Sequence, residues 1–213
     1  VCGSSFASVA GYVSVEVSTN GVDFTSDGVQ YESVWSVVSG LAPWSGPQAG
    51  GTLVVVAGTG LVGPGARCRF GASSEVAASV QSASEVRCVS PPHGSTGWVA
   101  VELLSFEESV GGGSFFFEAR SWVSLVLPLL GPVEGGTRLT VLGSHFRESS
   151  TLACRFGRGS GATVAARFID SSQVECAAPA QAGASARSVE VSGNGQQFTA
   201  AGAAYTYAAA ASV

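Results

Sequence analysis

Short runs along this chain alternate apolar and polar residues, and no segment joins a capping residue to the three-to-four spacing of an amphipathic helix. Val99-Ala100-Val101-Glu102-Leu103 and Ser188-Val189-Glu190-Val191-Ser192 alternate most clearly. Period-2 alternation suits a strand with one face in a core and the other in water. Thr52-Leu53-Val54-Val55-Val56 and Thr137-Arg138-Leu139-Thr140-Val141 are further strand-like runs, each preceded by a glycine pair. Asn20-Gly21 and Asn194-Gly195 signal hairpin turns, because that turn needs positive φ at both central residues. Phe115–Phe117 and Ala203–Tyr207 supply closing strands. About seven short strands in each stretch of about 86 residues predict an all-β fold, a rod-like array of tandem β-sandwiches of immunoglobulin-like size.

The unit is visible because the chain repeats. Cys2, Val15-Glu16-Val17-Ser18, Asn20-Gly21, Phe24-Thr25, Gly28 and Tyr31 return without a gap as Cys176, Val189-Glu190-Val191-Ser192, Asn194-Gly195, Phe198-Thr199, Gly202 and Tyr205, each 174 residues later. Cys88, Val101-Glu102 and Phe117 form a middle copy, 86 residues on from Cys2, Val15-Glu16 and Tyr31. Front halves occur twice: Pro43-x-x-Gly46-Pro47-x-x-Gly50-Gly51-Thr52 matches Pro128-x-x-Gly131-Pro132-x-x-Gly135-Gly136-Thr137, and Cys68-Arg69-Phe70-Gly71 matches Cys154-Arg155-Phe156-Gly157. A period of 86–88 residues is too long for a solenoid repeat and fits a string of small domains. The first copy shows a back half alone, so a partner for Cys2 is expected upstream, in a longer parent chain.

Four of the five cysteines fall in pairs placed alike in two copies, Cys68 with Cys88 and Cys154 with Cys176, 20 and 22 residues apart. Metal sites favour clusters such as C-x-x-C, which the chain lacks, and a catalytic thiol would be one special residue rather than one per repeat. Two disulfides are therefore expected, in a secreted or surface-exposed protein. The net charge is −5, with no lysine and no basic cluster, which excludes nucleic acid as a partner. No apolar run reaches the roughly 20 residues of a bilayer span, so no membrane insertion is expected within this stretch.

Taken together, G-P-x-x-G-G-T-x-L-x-V-x-G, C-x-F-G, V-x-C-x-x-P, V-x-V-x-x-N-G and a closing Y-x-Y resemble the IPT/TIG domain. That is the immunoglobulin-like fold of plexins, hepatocyte-growth-factor-type receptors and Rel-type transcription factors. The third copy carries the pattern most fully, from Gly131-Pro132 through Cys154-x-Phe156-Gly157 and Val174-x-Cys176-x-x-Pro179 to Tyr205-x-Tyr207. The second departs near its end, with Glu107-Glu108-Ser109 where Asn-Gly belongs and Phe115-Phe116-Phe117 for Tyr-x-Tyr. The resemblance implies a C-terminal half-domain over 1–36, complete domains over 37–120 and 121–209, and a tail or linker start at 210–213. Linkers are short and carry no Gly/Ser or charged tether, so a semi-rigid rod is expected.

Candidate chemistry is thin. Gly58-x-Gly60-x-x-Gly63 follows a hydrophobic strand, but Pro64-Gly65 leaves no helix start to face a pyrophosphate, so no cofactor is expected. His93 and His145 stand at non-equivalent places and read as exposed loop histidines; a triad through His145 and Asp170 lacks a nucleophile elbow. Glu107-Glu108 is an adjacent loop pair, unlike two carboxylates set on rigid strands. Glu32 and Glu118 at the junctions are too few for calcium. No catalytic or metal-binding residue is expected.

What remains is surface. Phe116 points away from the slot of its neighbours and reads as an interface residue, as do Trp35 and Trp122 at the junctions. The function these features support is non-enzymatic and extracellular: a structural or adhesive component of a surface filament, coat or mastigoneme-like appendage. Its expected partners are protein, through self-association or neighbouring domains of the same long chain, with glycans as a further class. A receptor ectodomain binding a protein ligand, and accessory domains of a secreted carbohydrate-active enzyme, are the alternatives.

Overall fold

A computed structural model describes residues 11–33, 35–61, 63, 65–105 and 108–209; Cys2, Glu107 and the 210–213 tail lie outside them. The described residues contain no helix. The described residues begin with an antiparallel hairpin, β1 (Gly11–Ser14) and β2 (Gln30–Ser33). Two eight-stranded units follow. The first holds β3 (Val37–Ala42), β4 (Ser45–Pro47), β5 (Leu53–Thr59), β6 (Arg67–Phe70), β7 (Ser74–Ser82), β8 (Glu85–Val89), β9 (Gly97–Ser105) and β10 (Glu108–Glu118), ordered β3-β5-β8-β7-β6-β9-β10-β4. The second holds β11 (Trp122–Leu127), β12 (Leu130–Pro132), β13 (Arg138–Ser144), β14 (Ala153–Phe156), β15 (Ala162–Asp170), β16 (Gln173–Ala177), β17 (Ser185–Ser192) and β18 (Ala203–Ala208), in the same topological order.

Each sheet folds over on itself into a sandwich. β7 pairs with β6 through Ser74–Ala77 and with β8 from Ala78 onward, so one long strand passes from one layer to the other. The inward residues of both layers meet in a core built around Val54, Val56, Phe70, Val86, Phe115 and Phe117. The second unit repeats this with Leu139, Val141, Phe156, Val174, Tyr205 and Tyr207. Disulfides Cys68–Cys88 and Cys154–Cys176 tie the layers together, each running from the strand before the crossing strand to the strand after it, with Cα atoms 6.3 and 6.4 Å apart. On the outer face, Arg69 stands opposite Glu102 and Arg155 opposite Glu190 as direct cross-strand partners.

The hydrogen-bond register refines the repeat. Gly11 pairs with Ser33 and Ser185 with Tyr207, so the gapless offset of the first and third copies extends into their ladders. The middle copy differs. Phe116 and Thr206 both pair with the first residue of a short parallel strand, Ser45 and Leu130. Phe115 and Phe117 therefore occupy the places of Tyr205 and Tyr207, and the counterpart of Phe116 is Thr206 rather than the Ala204 that counting from the cysteines suggests. The middle copy is two residues shorter here: Phe117 follows Val101 by 16 residues, whereas Tyr207 follows Val189 by 18. A deletion of two leaves alternation unchanged, so Phe116 still faces outward.

The hydroxyls of Tyr205 and Tyr207 are buried and make no hydrogen bond among the described residues. Burial pushes the Tyr207 phenol up to about 12. The middle copy already uses phenylalanine at both places. Tyr205→Phe and Tyr207→Phe should leave stability unchanged or raise it by up to about 1 kcal/mol, since an unpaired buried hydroxyl costs more than it returns. A loss larger than that in urea unfolding would show that the hydroxyls do have partners. Because the folded phenol of Tyr207 ionises later than the unfolded one, the native state holds more protons between about pH 10 and about pH 12, and stability falls with rising pH across that window. Tyr207→Phe should flatten that fall.

Candidate functional site

The turn after β17 is held from within. Asn194 Oδ1 accepts hydrogen bonds from the N–H groups of Gln196 (3.0 Å) and Gln197 (3.2 Å), while Thr199 Oγ1 accepts from Val191 N–H at 3.1 Å. With its oxygen committed to the turn, Asn194 turns its amide nitrogen outward beside the Gln196 and Gln197 side chains. All three reach the preceding unit. Gln196 pairs with the main chain of Leu53 as a neighbouring strand would, accepting from Leu53 N–H (2.8 Å) and donating to Leu53 C=O (2.9 Å). Gln197 donates to Gly51 C=O (2.8 Å) and accepts from the Thr52 hydroxyl (2.9 Å). Asn194 Nδ2 donates to Thr52 Oγ1 at 3.2 Å. Thr52 and Ser45 are thereby 0% and 2% exposed, and each amide replaces water contacts with geometrically matched partners.

Beside this clamp lies an aromatic cluster of the first unit. Trp98 and Phe116 are register partners on β9 and β10, with rings edge-to-face at 5.3 Å. Trp44, just ahead of β4, stacks on Trp98 at 5.6 Å. Arg147 of the second unit sets its guanidinium 3.8 Å from the Phe116 ring centre, 4.9 Å from Trp44 and 5.9 Å from Trp98. Three ring faces around one cation form a cage, each contact contributing about 0.5–1 kcal/mol at a partly exposed site. A cleft of about 320 Å³ completes the junction, lined by Gln48, Glu118, Arg120, Asn194, Phe198 and Thr199 among others.

Of the sequence-derived interface residues, Phe116 stands in this joint. Trp122 packs edge-on against His145 of its own unit at 5.1 Å and is otherwise exposed. Trp35 is exposed, with its carbonyl against Gly60. Sequence reasoning passed over Trp44, Trp98, Arg147, Gln196 and Gln197. Trp98 alone left a signal, an outward parity between Gly97 and Val99.

The Gly58-x-Gly60 run serves backbone packing. A Cβ at Gly58 would lie 2.1 Å from the Val37 carbonyl oxygen, and Gly60 takes φ +63 with its Cα against the Trp35 carbonyl. His145 fills the Gly60 position in the second unit, also in the left-handed region at φ 58, and its Nδ1 lies 3.2 Å from the Arg120 carbonyl. The Asp170 carboxylate accepts from the Ser172 hydroxyl (2.6 Å) and N–H (2.7 Å), which hold it below the usual carboxylate range and close its own turn. The His93 ring stacks on Phe117 at 4.5 Å. No group of three or more potential metal ligands occurs among the described residues, and no helix there is long and apolar enough to cross a membrane.

The family model described as IPT/TIG domain matches residues 36–115 and 122–207. Among solved structures, the chain is similar to the Plexin A4 full extracellular region, domains 1 to 10, at 18% identity and a TM-score of 0.62, covering 85% of this chain and 17% of that one. A second structure of that region, with domains 1 to 8, matches at 18% identity and a TM-score of 0.50 over 81% of this chain and 18% of that one. Identity at this level shows a shared fold alone. The chain thus spans under a fifth of the length of the plexin regions it matches. No curated protein matches the sequence.

Proposed function

The chain belongs to the IPT/TIG family, and on that premise we propose that it is a non-enzymatic extracellular component whose tandem immunoglobulin-like domains act as a stiff spacer in a surface filament, coat or appendage. We divide it into a C-terminal half-domain over 1–36 and complete domains over 37–120 and 121–209. The observation that carries the reading is the joint. Neighbouring domains move freely unless a built interface prevents it. Here three side-chain amides and one caged guanidinium span the junction, and only Ala119–Ser121 separates the closing strand β10 from β11. The two disulfides support an oxidising compartment.

Spin labels on β8 and β16 should report a narrow distance distribution between the domains. Arg147→Ala combined with Gln197→Ala should broaden it, while each domain's own unfolding shifts by no more than about 0.5 kcal/mol, as expected for surface changes. A wild-type distribution as broad as the variant's would end the spacer reading. Electron microscopy of the native protein, purified without reduction, separates the settings. Regular filaments or sheets support a structural polymer, and single rods carrying a soluble protein support a receptor.

A further inference from the structure

The first and last strands of each domain run the same way. Six antiparallel pairings lead round the sheet from β3 to β10, and an even number restores the starting direction. β4 then joins β10 in parallel, with Ser45 opposite Phe116 and Pro47 opposite Glu118. The chain therefore enters the middle domain at the start of β3 and leaves at the end of β10, at opposite ends of the sandwich. The last domain repeats this: six antiparallel pairings lead from β11 to β18, and β12 joins β18 in parallel.

Main-chain bonds fasten each parallel pair at both ends. Trp44 C=O accepts from Phe116 N–H at 2.9 Å and Glu118 C=O from Gln48 N–H at 3.0 Å. In the last domain Leu129 C=O accepts from Thr206 N–H at 2.9 Å and Ala208 C=O from Val133 N–H at 3.0 Å. A glycine at the centre of each short strand lets it lie tight on the sandwich: a Cβ at Gly46 would stand 2.1 Å from Thr52 Oγ1, and one at Gly131 2.3 Å from Thr137 Oγ1. Opposite pulls on the two ends of a domain drive β4 toward its start and β10 toward its end. That force runs along the strands, so the evenly spaced bonds of the parallel pair are loaded together. A force across the strands would open them one at a time. The disulfides stand in the same load path. Each closes the segment between its two cysteines, so tension crosses the bridge and the 20 or 22 residues it spans do not extend.

We propose that each domain carries tension along the chain, with β4–β10 and β12–β18 as the pairs that hold and the disulfide as the stop that limits extension. The proposal deepens the spacer reading on which it rests, from stiffness at the joint to strength within each domain. It adds a mechanical role that the joint contacts do not supply, because the joint orders neighbouring domains whereas these pairs resist their being drawn out.

Single-molecule force spectroscopy on the full, oxidised 213-residue chain tests it, with the middle domain held in two ways. Handles at Glu32 and Arg120, both exposed, pull along the chain. Handles at the exposed Ala49 and at Arg120 pull β4 and β10 apart from the end they share. At one constant force the first geometry should survive at least about tenfold longer than the second, because forced unfolding follows the unfolding rate along the pulled direction. Equal or shorter survival overturns the proposal. No residue of the β4–β10 pair is altered, so a folding defect does not imitate either result. Reducing the bridge should lengthen the end-held event by about 7 nm, from 20 residues at roughly 3.5 Å each. An unchanged length overturns the disulfide as the stop. These readouts are independent of the inter-domain distances, so the spacer reading can fail while the domains bear load, or the reverse.

Discussion

Replacing Glu190 by alanine should destabilise the last domain by about 3 kcal/mol, whereas Glu102→Ala should cost the middle domain no more than about 1 kcal/mol. The two pairs look alike on paper. Arg155 Nε and Arg69 Nε each donate to their glutamate at 2.9 Å, with the second guanidinium nitrogen on the same oxygen. Their surroundings decide the difference. The side chains of Glu190 and Arg155 are 3% and 20% exposed, against 38% and 33% for Glu102 and Arg69. Phe198 closes one side, its ring centre 4.1 Å from the Arg155 guanidinium. Removing Glu190 strands a cation that water reaches poorly, while removing Glu102 leaves one that water solvates again. Urea unfolding of the two variants supplies the comparison, and equal losses would refute the burial argument. Arg155→Ala added to Glu190→Ala should recover part of the loss, since no stranded charge remains.

Removing the Cys154–Cys176 bond by Cys154→Ala with Cys176→Ala should lower stability by about 3 kcal/mol, with a similar loss for Cys68 and Cys88. The bridge closes a loop of about 20 residues that the unfolded chain would otherwise explore freely. It also sits in the core, with Cys68 and Cys154 fully buried, so the truncated sulfurs leave unfilled space that adds to the loss. Because thiol exchange needs access to sulfur, a reductant added to the native protein should act slowly and speed up once urea opens a domain. Rapid reduction under native conditions, followed through free-thiol release, would show that the layers part far more readily than their packing implies.

Much of the architecture is legible in the sequence. Alternating residues name the inward face of each strand, and the gapless offset between the first and third copies reappears as identical ladder register. Counting from the cysteines places the closing strand of the middle copy two residues off, because parity survives an even deletion, and only the pairing of Phe116 with Ser45 reveals the shift. The joint was not legible. Asn194-Gly195 reads as a turn from sequence, and no pattern in the chain marks its neighbours Gln196 and Gln197. Their partners at Gly51, Thr52 and Leu53 lie more than 140 residues earlier.

Strands, repeat and sandwich class follow from local alternation, turn chemistry and a period the chain states outright. What the outward residues do follows from the packing of one domain against the next. Two neighbouring domains meet at an angle that no periodicity encodes, and that angle brings Arg147 over Trp44, Trp98 and Phe116 and sets Gln196 along Leu53. An outward side chain looks the same in sequence whether it meets water or another domain. Its role is set by the surface brought against it, and that is a property of the whole fold.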